Sequence, residues 1–92
     1  MSSAKLIHIY YSGMVQGIGF RYTVERLASQ LGICGWVRNL PDGRVEMEAE
    51  GTEETLKELC GRIEERFGGY IKSQEKTERQ ASSRYKDFRI VH

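Results

Sequence analysis

Ser12-Gly13-Met14-Val15-Gln16-Gly17-Ile18-Gly19-Phe20-Arg21 separates a β-like run from a helix-like one. Three glycines within seven positions allow tight, partly left-handed turns, and their missing side chains let a ligand approach the main-chain N–H groups closely. The residues that follow begin a helix, whose first N–H groups lack internal partners and carry about half a positive charge. A strand, a bare loop and a helix start in this order predict an anion cradle that attracts phosphate without a metal. Arg21 adds a full charge, and its planar guanidinium can donate two parallel hydrogen bonds to phosphate oxygens.

On either side of this segment the periodicity is plain. Residues 6–11 (Leu-Ile-His-Ile-Tyr-Tyr) are rich in β-branched and aromatic residues and predict an interior strand ending at Gly13. His8, inside that run, reads as structural. Val24, Leu27, Ala28 and Leu31 recur at helical spacing over residues 20–31, and Gly32 ends the helix. Residues 34–39 form a second predicted strand and residues 44–50 a third, with Leu40-Pro41-Asp42-Gly43 as the turn of an antiparallel hairpin. Val45, Met47 and Ala49 face the core on this reading, leaving Glu46, Glu48 and Glu50 as a solvated acidic row. Thr52 caps a second helix with Glu53 and Glu54 in its first turn and Leu56, Leu59, Cys60, Ile63 and Phe67 as its apolar stripe, stopped by Gly68 and Gly69. Residues 70–80 carry almost no apolar alternation and read as a polar edge strand running into a mobile loop. Residues 85–91 close the chain as a strand. The order implies two helices on one face of an antiparallel sheet, an α+β, ferredoxin-like split βαβ sandwich (βαββαβ).

Ninety-two residues have room for one apolar core, so residues 1–92 are expected to form a single domain. A net charge of +1 gives no general pull toward nucleic acid or an anionic membrane, so anion specificity has to be local. No stretch approaches the roughly 20 apolar residues of a membrane span, and no apolar signal segment opens the chain, so a cytoplasmic protein is expected; a monomer is the expected state. Cys34 and Cys60 lie in apolar patterns and read as reduced core residues, without the C-x-x-C spacing of a zinc site.

Two segments together carry a resemblance that covers most of the chain. Gly13-Met14-Val15-Gln16-Gly17-Ile18-Gly19-Phe20-Arg21 resembles the first acylphosphatase signature, with Ile18 where valine is usual. Gly35-Trp36-Val37-Arg38-Asn39, followed by Gly43, Val45 and Gly51, is similar to the second. The resemblance implies a small hydrolase, free of metal or other cofactor, that splits a small-molecule acyl phosphate into carboxylate and inorganic phosphate. It assigns phosphate binding to Arg21, assisted by the amides of Val15, Gln16, Gly17, Ile18, Gly19 and Phe20, and orientation of the attacking water to Asn39. The polar run after Ile71 departs from the family's more apolar fourth strand.

These residue types suit that chemistry. A carboxylate leaving group, whose conjugate acid has a pKa near 4, needs no general acid at neutral pH. Phosphoryl transfer needs mainly positioning and charge stabilisation. Each residue also has a plainer role open to it: Arg21 could pair with Glu25 one helical turn on, and Asn39 could simply open the turn. Gln16 could pack or hydrogen-bond within the loop, and Arg38 points to the face opposite Asn39. A module that holds phosphate or carbamoyl phosphate without turnover is the alternative function. RNA binding lacks its aromatic motif, and Gly17 and Gly19 are followed by Tyr22 rather than the third glycine of a dinucleotide fingerprint.

Overall fold

The computed structural model describes residues 4–92. Seven elements follow one another: β1 (Ala4–Gly13), α1 (Phe20–Gln30), β2 (Cys34–Asn39), β3 (Val45–Thr52), α2 (Glu53–Phe67), β4 (Ile71–Gln80) and β5 (Phe88–Ile90). The strands form one sheet in the order β4-β1-β3-β2-β5. β1 therefore lies inside the sheet, as its two-sided apolar character requires.

Period-2 alternation sends Ile7, Ile9 and Tyr11 of β1, Val37 of β2, and Val45, Met47 and Ala49 of β3 to one face. Phe20, Val24 and Ala28 of α1 and Leu56, Leu59, Ile63 and Phe67 of α2 join them in one cluster. Burying each large aliphatic side chain there contributes roughly 1.5–3 kcal/mol. Cys34 and Cys60 are unbridged and only half-buried.

Helix ends follow local chemistry. α1 stops at Leu31, after which Ile33 N–H donates to Ala28 O at 2.9 Å and Gly32 N–H to Ser29 O at 3.2 Å, a Schellman closure. Thr52 caps α2, its side chain accepting from Thr55 N–H at 3.1 Å, with Glu53 and Glu54 in the first turn.

The structure corrects three expectations. First, the sheet is mixed. β4 ends beside the start of β1, at the same end of the sheet where β2 starts. The short connection from β4 delivers β5 to that end, so β5 runs parallel to β2, Gly35 opposite Phe88. Second, residues 71–80 are the polar edge strand expected, but the strand runs through all ten residues to Gln80 instead of giving way to a loop, although nearly all are exposed. The main-chain ladder to β1, from Lys5 opposite Gln80 to Gly13 opposite Ile71, holds it without apolar alternation. Its charged side chains blunt the open edge. Third, the acidic row is not solvated. The segment after β4 crosses the helix-free face, where Ser82 and Ser83 N–H donate to Glu50 and the Tyr85 hydroxyl to Glu48. The Glu46 side chain is only 7% exposed, accepting from Arg38 Nε at 2.7 Å and contacting His8 Nε2 at 2.6 Å. Arg38 is thus ion-paired to a buried carboxylate on the face opposite Asn39.

Candidate functional site

The β1–α1 loop and the end of β2 meet at a cleft of about 250 Å3 lined by Val15, Gly17, Gly19, Phe20, Arg21, Tyr22 and Asn39. Its floor is a loop held in an unusual backbone shape. Gly17 and Gly19 have φ of +79° and +82°, a left-handed region that L side chains avoid, and a Cβ at either would meet nothing within 4 Å. Glycine is therefore required there by conformation rather than by crowding.

That conformation leaves donors unengaged. Thr23 N–H is the first of α1 to find a main-chain acceptor, Gly19 O at 3.0 Å. None of the N–H groups of residues 15–22 donates to an acceptor among the described residues. The two helix starts also differ in charge. α2 neutralises its own positive end with a capping threonine and two glutamates, whereas α1 has no side-chain cap and no acidic residue in its first turn. The partial positive charge of α1 is thus directed to the cleft.

Arg21, in the first turn of α1, adds the cleft's cation. Among the described residues it makes no ion pair with Glu25 or any other carboxylate. Asn39 is the last residue of β2, opposite Val45, two positions after the fully buried Val37 and on the same face. Its Oδ1 is a buried acceptor with no partner among the described residues. An unpaired buried acceptor costs about 1–3 kcal/mol, a cost that a water hydrogen-bonded to it would relieve.

Gln16 joins the two halves. Its Nε2 donates to Leu40 O at 2.8 Å and to Arg44 O at 2.9 Å, the two residues that flank the tip of the β2–β3 hairpin. The tip is itself closed by Leu40 N–H to Arg44 O at 2.8 Å and Gly43 N–H to Leu40 O at 3.1 Å. One side chain thereby ties the loop carrying the N–H groups to the hairpin carrying Asn39.

Of the residues singled out from sequence, Val15, Gly17, Gly19, Phe20, Arg21 and Asn39 share the cleft. Gln16 points to the hairpin instead, and the Ile18 side chain packs against the core. Sequence reasoning missed the reach of Gln16 beyond its own loop, because the partners are carbonyls 24 and 28 residues away. It also missed Tyr22, whose only signal is an aromatic ring directly after Arg21.

The helix-free face holds the other polar cluster. Burial of Glu46 would raise its carboxyl, but hydrogen bonds from Arg38 and His8 outweigh it and hold the group below its ordinary value. Arg38 lies 5.3 Å from the Trp36 ring centroid and Arg44 4.7 Å from that of Tyr10. These groups satisfy one another, which marks a structural network. Among the described residues no group of three or more His, Cys, Asp or Glu is arranged to hold a metal ion. No helix among them is long and apolar enough to cross a membrane.

Comparison with known proteins gives one consistent result. The acylphosphatase family profile matches residues 7–90. An acylphosphatase of Caldanaerobacter subterraneus is 42% identical over 87 residues, 94% of this chain and 97% of that protein. One from Trichormus variabilis is 55% identical over 53 residues, 58% of this chain and 52% of that protein, so in this match the chain spans about half the relative's length. The crystal structure of acylphosphatase from Bacillus subtilis superposes with a TM-score of 0.87 at 32% identity, covering 96% of this chain and 99% of that one.

Proposed function

The chain belongs to the acylphosphatase family, and from that premise we propose that it hydrolyses small acyl phosphates at the cleft between the β1–α1 loop and Asn39. One observation carries the reading: a single cleft is lined by loop residues whose N–H groups are unengaged, by the unpaired Arg21 and by Asn39, whose Oδ1 is a buried acceptor without a partner among the described residues.

The phosphoryl group sits in the loop, its oxygens accepting from the N–H groups of residues 15–20 and from Arg21. These donors are preorganised where the three phosphoryl oxygens gather negative charge in the transition state, the arrangement that contributes most to catalysis of this type. Asn39 orients a water by accepting one of its hydrogens through Oδ1. A carboxamide cannot remove a proton at neutral pH, so the proton passes to a phosphoryl oxygen of the substrate. The water oxygen bonds to phosphorus, the bond from phosphorus to the acyl oxygen breaks, and the electron pair leaves with the carboxylate. Because that leaving group is a weak base, no general acid is needed.

Residues 1–92 act as one acylphosphatase-like unit in this reading, a monomer with a small-molecule substrate and no cofactor. The family match over residues 7–90 and the single core cluster support the one unit. The two unbridged thiols suit the reducing cytoplasm.

The test is phosphate release from benzoyl phosphate in excess chelator. The wild-type chain should turn over, and Arg21→Ala should lose about 100- to 1,000-fold in kcat, as when one transition-state donor is removed. Phosphate binding without release of benzoate would instead identify a holding module. Activity retained in Arg21→Ala would remove the site.

A further inference from the structure

Three large hydrophobic side chains are exposed among the described residues: Met14, Tyr22 and Tyr70. Single exposed apolar residues are ordinary on protein surfaces, so exposure alone means little. Tyr22 is different because it also lines the cleft, beside Arg21 in the first turn of α1, with 69% of its surface open to solvent. The neighbouring Phe20 and Val24 bury their side chains in the core.

The charges of the lining narrow the ligand further. Arg21 is its only charged side chain, and the phosphoryl group uses that charge. A second anion on the acyl group would find no counter-charge in the lining, whereas a flat apolar group would find an exposed phenol ring. We propose that Tyr22 forms the acyl side of the cleft and selects acyl phosphates whose acyl group is uncharged and aromatic or broadly apolar. The inference rests on the proposed assignment of the phosphate to the loop and Arg21.

The experiment compares kcat/KM for benzoyl, acetyl and succinyl phosphate in the wild-type chain, Tyr22→Ala, Tyr22→Phe and Arg21→Ala. The wild-type chain should prefer benzoyl phosphate. Tyr22→Ala should lose about 3- to 10-fold on benzoyl phosphate, the scale of one aromatic contact, while changing less than about 2-fold on acetyl phosphate. Tyr22→Phe should retain the preference. The same ratio should appear without turnover, as weaker inhibition of Tyr22→Ala by phenylphosphonate but not by methylphosphonate. Equal losses on both substrates, or a wild-type preference for succinyl phosphate, would overturn the proposal. Arg21→Ala separates the two levels. If it abolishes all three activities while the Tyr22→Ala ratios stay at the wild-type value, only the acyl subsite fails. If it leaves them intact, the site reading falls and the acyl subsite with it.

Discussion

Gln16 offers the sharpest test of how the cleft is held together. Its side chain contributes no atom to the proposed chemistry, yet the carboxamide makes two hydrogen bonds, at 2.8 and 2.9 Å, between the loop and the hairpin. Each such bond contributes about 0.5–1.5 kcal/mol net, so Gln16→Ala should lose about 1–3 kcal/mol. Loss is held to that range because both accepting carbonyls keep a second donor, Gly43 N–H for Leu40 O and Leu40 N–H for Arg44 O. For a domain of this size the change corresponds to a Tm about 4–20 °C lower. Gln16→Glu is the more informative variant, since it keeps the length but turns a donor into a carboxylate facing two carbonyl oxygens. It should be less stable than Gln16→Ala. Both should lose activity beyond their loss of folded protein, because a loop displaced by about 1 Å from Asn39 can cost on the order of 100-fold in rate. Urea unfolding and benzoyl phosphate hydrolysis under conditions where each variant is fully folded make the measurement. A Gln16→Glu chain as stable and as active as the wild type would refute the clamp.

Three other perturbations follow from the same geometry. Asn39→Ala should lower kcat by about 100-fold with little change in KM without destabilising the fold, because its Oδ1 bonds nothing there and its removal takes away an unpaired buried acceptor; steady-state kinetics beside urea melts decide it, and an intact kcat refutes the role. Gly35→Ala places a Cβ 1.9 Å from the main-chain oxygen of Glu48 at a φ of +143°, so it should cost about 3 kcal/mol or more in thermal unfolding. Glu46 has a folded value below its ordinary one, so its stabilisation is complete above the unfolded value of about 4.3 and disappears as pH falls through the lower folded value. Glu46→Gln should therefore be less stable than the wild type at pH 7, with the gap closing in urea melts as the solution is acidified below about pH 4; a gap independent of pH would show that the carboxylate charge is not what matters.

Much of this molecule was readable before any coordinates, for a local reason. Helical spacing from Val24 to Leu31, alternation from Val45 to Ala49, the proline–aspartate–glycine turn and the Thr52 cap are properties of neighbouring residues, and each formed as its pattern demands. The glycine loop and the arginine that follows it are legible in the same way, since backbone freedom and a helix start lie next to each other in the chain, and the anion site proposed there rests on that adjacency. What tertiary structure decided was everything set by partners far apart. β5 runs parallel to β2 because of where β4 ends. The glutamates of β3 are covered because residues 82–85 cross over them. Gln16 reaches a hairpin more than twenty residues on, and Asn39 lines the same cleft as Arg21 because that hairpin folds back beside the loop. Local periodicity encodes which face of an element is apolar, but it carries no record of which polar groups the packed chain brings within hydrogen-bonding distance.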